Sequence, residues 1–227
     1  QLAPGLHAEA LVFPERRVGK ALRAIDDDAV DVALQTAISH GEAKLLAIGL
    51  VAVCEATGER RKFYTGTRVD SQPERTQVQS TLDWWAKQSP EARVAYDYAH
   101  TAECPSLTDA LASLTDWIGT IGATHDVYVW GNGANFDLAM LEHAYQGLSD
   151  FVPWNFRNTR DMRTLYDITL RFGMDIRGAI QRVGTHHHAL DDAEFQANVI
   201  MESLRQIEAL AEFVRDASDT AQGATQA

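Results

Sequence analysis

Between residues 29 and 67 the pattern of apolar and polar positions predicts three strands: Ala29 to Leu34, Leu45 to Cys54 and Arg61 to Thr67. Thr57-Gly58-Glu59 supplies the turn between the second and third, so an antiparallel meander is the simplest arrangement. The spacing then lengthens. From Gln77 to Gln88 the pattern is helical, and Leu107, Leu111, Leu114 and Trp117 mark one face of a helix over 106–121. Val127-Tyr128-Val129-Trp130 is short and β-prone, a fourth strand that ends at Gly131-Asn132-Gly133. Asn135 is placed to cap a helix reaching about Tyr145. Further helices are predicted over about 160–172 and 190–214, which gives an α/β fold, a mixed sheet with helices packed on it. Residues 1–28, ending in Asp26-Asp27-Asp28, read as an N-terminal extension, 29–215 as one domain, and 216–227 as a disordered tail rich in Ala, Thr, Gln and Gly.

Composition agrees with a single domain: 227 residues at 45% hydrophobic content fill one core comfortably and fall short of two. No run of about 18 apolar residues occurs, and Gln1-Leu2-Ala3-Pro4-Gly5 lacks a basic segment followed by an apolar one, so the expectation is a soluble cytoplasmic protein without a membrane role. Cys54 and Cys104 lack metal-like spacing and are expected to be reduced thiols. A formal charge of −12 argues against a protein that coats duplex DNA by bulk electrostatics. It leaves room for a nuclease, because bound cations reverse the local field that a phosphate meets. Basic residues gather in three places: Arg16, Arg17, Lys20 and Arg23; Arg60, Arg61 and Lys62; and Arg157, Arg160 and Arg163. Each group is read first as solvated surface and second as nucleic-acid contact.

Acidic residues stand where chemistry favours them. Asp31 interrupts the first strand, where alternate side chains share a face, so positions 31 and 33 belong together. Position 33 is alanine, which cannot bind a metal. Asp137 follows Trp130-Gly131-Asn132-Gly133-Ala134-Asn135-Phe136 on the first turn of a predicted helix; by itself such an acid can equally complement the helix dipole. The segment His186-His187-His188-Ala189-Leu190-Asp191-Asp192-Ala193 puts an imidazole before a helix and two acids in its first turn, so His187 and Asp192 can face one cavity.

These segments resemble the DnaQ-like, DEDDh-type 3′-5′ exonucleases, most closely the subgroup that includes the exonuclease VIII domain and related bacterial and phage exonucleases. The resemblance spans about residues 30 to 205. Its carriers are Asp31-Val32-Ala33, Leu46-Ala47-Ile48-Gly49, Trp84-Trp85-Ala86-Lys87-Gln88-Ser89, Trp130 to Asp137, Pro153-Trp154, Asn158 to Thr164, and His187 to Ala193. It implies a ribonuclease H-like sheet (an antiparallel β1-β2-β3 meander plus parallel strands) and a bacterial or phage-encoded enzyme. It also implies two Mg²⁺ or Mn²⁺ ions held by four acids, with a histidine as general base. Carried over, Asp31 would bridge both ions, Asp192 would hold the nucleophile-side ion, Asp137 would support the other, and His187 would take the proton of the attacking water. Hard cations favour carboxylate oxygens, and an imidazole near neutrality suits the proton transfer. The departure is at position 33, where the family has glutamate. An inactivating Glu-to-Ala change, made to trap an intact state, is favoured over natural decay or an acid supplied from Asp26 to Asp28.

Other residues carry second readings. His186, His187 and His188 diverge as consecutive residues, which disfavours a shared Zn²⁺. Asp191 is set aside for Asp192 because the spacing from His187 matches the family. Leu34 is either a neighbour of the terminal base or a core residue, and Asn132 and Asn135 are candidate substrate contacts. Trp84 and Trp85 cannot share a helix face, so one is core and the other surface. Asp161 could steady the site or pair with Arg163 or Arg157. The leading function is release of nucleoside monophosphates from 3′ ends of single-stranded DNA or RNA. The alternatives are a non-catalytic nucleic-acid-binding module of the same fold and a structural protein. A homodimer stays open.

Overall fold

The computed structural model describes residues 29–36, 43–133, 135–149 and 151–225, for 29–36 the backbone alone and for 221–225 likewise. The proposed N-terminal extension, its basic group and Asp26 to Asp28 lie outside these residues. Five strands form one sheet: β1 (Ala29–Thr36), β2 (Ala47–Cys54), β3 (Arg60–Gly66), β4 (Asp126–Gly131) and β5 (Thr159–Asp161). Their order is β3-β2-β1-β4-β5. β1, β2 and β3 pair antiparallel in succession, whereas β4 is parallel to β1 and β5 to β4. The β2–β3 turn closes with Gly58 N–H donating to the Cys54 carbonyl (2.8 Å), and Gly58 takes φ +69°, which glycine adopts without steric cost.

Seven helices flank the sheet among the described residues: α1 (Gln79–Trp85), α2 (Pro90–Tyr98), α3 (Leu107–Gly122), α4 (Asp137–Gln146), α5 (Met162–Arg171), α6 (Ile176–Ala179) and α7 (Ala189–Thr225). One face carries α3 and α4: Ile48, Leu50, Ala52, Val127 and Val129 pack with Leu111, Leu114, Ile118, Leu138 and Leu141. The other carries α5, α6 and α7: Val51, Val53 and Trp130 pack with Met162, Leu165, Ile176, Ala193, Val199 and Ile200. β2 is thus covered on both sides, and its near-continuous apolar run follows from that. β3 exposes Arg60, Arg61 and Lys62 at the sheet edge, where charge discourages pairing with another chain.

The structure departs from the pattern-based expectation in several places. α2 was not anticipated; Ser89 caps it, accepting from Ala92 N–H, and Pro90 starts it. The helix predicted over 160–172 starts only at Met162, because Thr159 to Asp161 join β4 as a strand and Asp161 then caps α5 by accepting from Arg163 N–H (2.8 Å). Asp161 therefore serves as a helix cap. α7 does not stop near Val214 but continues to Thr225, so most of the segment expected to be disordered is helical. Ala217, Ala221 and Ala224 favour helix by intrinsic propensity, and Ser218 and Thr220 hydroxyls donate back to the Val214 and Asp216 carbonyls. Among the described residues no helix is long and apolar enough to cross a membrane, and Cys54 and Cys104 are both free thiols.

Candidate active site

The β4–α4 junction positions the first acid. Gly131 ends the strand, Gly133 adopts φ +104°, and the Gly133 carbonyl accepts from Phe136 N–H (2.9 Å) and Asp137 N–H (3.3 Å). The position before the helix is Phe136, with no side-chain cap; Asn135 is exposed in the turn and does not cap α4. Asp137 is fully buried as the first residue of α4, and its Oδ2 accepts from the Asn132 amide (3.0 Å). A buried carboxylate at a helix N-terminus is stabilised by the dipole and by that amide.

Arg163 lies against this turn. A Cβ added at Gly133 would meet Arg163 Cζ at 2.9 Å, on a backbone that side chains rarely adopt. Gly133→Ala is therefore expected to destabilise the fold by about 1–3 kcal/mol, measured by chemical denaturation. Unchanged stability would mean that the turn and Arg163 yield freely.

The second acid comes from the start of α7, which sits on β2 through a glycine. A Cβ at Gly49 would lie 2.5 Å from Ala189 C and Leu190 N, so helix and strand backbones meet there directly. The loop before α7 is shaped by Asp191, whose Oδ2 accepts from Thr185 N–H (2.7 Å), while Gly184 takes φ +90° beside it. His187 adopts φ +68°, a left-handed conformation that costs a side chain free energy and recurs at functional positions. Its ring meets His186 edge-on at 3.9 Å and Trp84 edge-on at 4.8 Å. Trp84 is 40% exposed and Trp85 buried, which divides the tryptophan pair between surface and core. His188 turns away and stacks on Tyr64 at 4.9 Å, so the three imidazoles diverge.

Burial pushes the His187 imidazole below its ordinary pKa, helped by His186 and Arg182 and opposed by Asp192. Asp192, 7% exposed, receives a hydrogen bond from Arg182 Nη1, and the Arg182 guanidinium rests 4.3 Å above the Phe195 ring. Sequence reading missed Arg182 and the role of Gly49. No spacing rule marks a lone arginine in a loop, and the close approach at Gly49 depends on where a helix 140 residues later lands.

β1 is placed by register. Asp31 pairs with Val53 and Tyr128, and Ala33 with Val51 and Trp130. Paired residues share a face, so positions 31 and 33 belong to the side that α7 covers, where Val51 and Ala193 meet in one cluster. Position 34 pairs with Leu50 and Gly131, on the opposite face with α3 and α4. Asn132 contributes its backbone amide to Asp137.

Among the described residues no three His, Cys, Asp or Glu side chains form a ready cation cluster. The donor chemistry nevertheless suits a hard divalent ion: Asp137 and Asp192 are carboxylates removed from water, and one of them already draws in a cationic group.

A mixed sheet with buried acids at the starts of two helices defines a class that sequence comparison specifies as a nuclease. The model of the 3′-5′ exoribonuclease Rv2179c-like domain family matches residues 29–204, and the chain belongs to that family. No curated protein matches it.

Proposed function

We propose that the chain is a metal-dependent 3′-5′ exoribonuclease of the DEDDh, DnaQ-like type on a ribonuclease H-like sheet, with Ala33 standing where catalysis calls for glutamate. The observation that carries this reading is an imidazole on a strained backbone beside a buried acid, Asp192, in a fold that buries a second acid, Asp137, at the start of another helix. The family match adds the direction of attack and favours RNA over DNA. Asp31, Asp137 and Asp192 would hold two Mg²⁺ or Mn²⁺ ions, which when bound supply charge for the attacking and leaving oxygens of an in-line displacement. The neutral His187 imidazole takes the proton of the attacking water. The water oxygen bonds to the terminal phosphorus, the bond from that phosphorus to the 3′-oxygen of the penultimate nucleotide breaks, and the leaving oxygen takes a proton from solvent, giving a shortened strand with a 3′-hydroxyl and a nucleoside 5′-monophosphate. Trp84 is exposed beside His187 and Arg163 lies beside the β4–α4 turn, and each would be a contact for a bound strand end.

The test is digestion of 5′-labelled single-stranded RNA and DNA by the Ala33→Glu protein with Mn²⁺. Stepwise shortening of RNA from its 3′ end, stopped by EDTA, is expected. Ala33 itself favours a second reading, a binding module that retains the fold; intact RNA that stays bound to the Ala33→Glu protein would establish it instead.

The lowered His187 pKa sets the pH dependence. An imidazole whose pKa lies below 6.5 is already neutral at pH 7, so kcat/KM of the Ala33→Glu protein should be level near neutrality and fall only toward acid, with unit slope. Bound cations push the imidazole the same way. A profile that still rises above pH 7 would remove His187 from the base role.

A further inference from the structure

The ion pair between Arg182 and Asp192 has no part in the reaction just described, yet it occupies a carboxylate that the reaction needs. Arg182 lies in the segment between α6 and α7 and donates to Oδ1 of Asp192. The Asp192 side chain is only 10% exposed, against 30% for Arg182, so the carboxylate end is the one shut off from water. A carboxylate held this way requires a positive partner, and removing the partner leaves an uncompensated charge. A divalent cation and a guanidinium cannot both take the same oxygen without strong repulsion.

We propose that Arg182 is an exchangeable counterion of Asp192, neutralising it in the metal-free protein and giving way when a divalent cation binds. The inference rests on the metal-dependent reading above. Two further features suit an exchange. The segment is pinned at its far end, where Thr185 N–H donates to Asp191 and His188 N–H to the Thr185 carbonyl, while Val183, next to Arg182, is 78% exposed. Arg182 can therefore swing without unwinding α7. An acceptor is also at hand: the Tyr166 hydroxyl is buried without a hydrogen-bond partner and feels the charge of Arg182.

Displacing a bound guanidinium weakens cation binding, so Arg182 should lower the affinity of the empty protein for metal. The experiment is a Mn²⁺ titration of the EDTA-stripped full chain without RNA, following free Mn²⁺ by electron paramagnetic resonance, for the unmutated protein and Arg182→Gln. The variant is expected to bind Mn²⁺ about tenfold tighter or more, the scale on which a contacting charge alters cation affinity. Its thermal midpoint should be below that of the unmutated chain in EDTA, and the gap should close in saturating Mn²⁺. Should the variant fail to fold without metal, the unmutated chain answers: an Arg182 guanidinium resonance, assigned by its loss in Arg182→Lys, should shift as Mg²⁺ is added. Equal or weaker Mn²⁺ binding by Arg182→Gln, or an Arg182 resonance that ignores Mg²⁺ while the protein binds it, overturns the exchange. If neither protein takes up Mn²⁺, the metal-dependent reading itself falls.

Discussion

Ala33→Glu is expected to raise the rate of RNA 3′-end hydrolysis by about 10²–10³-fold, the usual effect of restoring one charge-stabilising group to a preorganised site. The position is favourable: residue 33 is two along β1 from Asp31, on the sheet face that α7 covers, in register with Val51 and Trp130. A carboxylate there adds a hard oxygen donor beside Asp31 and should lower the Mn²⁺ concentration needed for half-maximal activity. Single-turnover digestion of a labelled RNA under a metal titration measures both effects. RNA affinity should change little, since the substitution alters the proposed cation site and not the strand contacts. A folded Ala33→Glu protein with an unchanged rate would mean that the residue at position 33 is not what limits this chain.

Gly49→Ala should be the most damaging change outside the acids. The added Cβ would meet Ala189 C and Leu190 N at 2.5 Å and the Ala189 carbonyl oxygen at 2.6 Å, all backbone atoms that cannot rotate aside. Either the strand or the start of α7 must move, at a cost of about 1–3 kcal/mol or more. The displaced element carries Asp192 and adjoins His187, so in an Ala33→Glu background turnover should fall by about 10²-fold for a shift near 1 Å. Denaturation midpoint and kcat together test this. Gly119→Ala is the control: an added Cβ in the last turn of α3 meets nothing within 4 Å and should instead stabilise the helix, by up to about 0.5–1 kcal/mol. Loss at Gly119 equal to that at Gly49 would show that the close approach to α7 is not the cause.

Both predictions depend on residues that differ in how visible they were beforehand. The β4 strand and α3 could be read within a residue or two, because alternation and a three-four spacing are local patterns. α2 had a signal that went unused, Ser89-Pro90 at its start. β5 could not be read, since three residues become a strand only by borrowing the edge of β4. The candidates Asp137, His187 and Asp192 were named from their segments, and the structure supplied their settings: full burial and an amide for Asp137, a left-handed backbone for His187, a guanidinium for Asp192.

By itself the sequence determined most of the elements, the candidate acids and imidazole, and the alanine at 33, because periodicity, turn chemistry and residue type are carried by neighbours along the chain. Only the tertiary structure decided which carboxylates lose contact with water, that Gly49 lets α7 settle directly on β2, and that Arg182 stands against Asp192. Burial, close approach and ion pairing join residues far apart in sequence or set by a loop's path, and no local pattern encodes the distance between them.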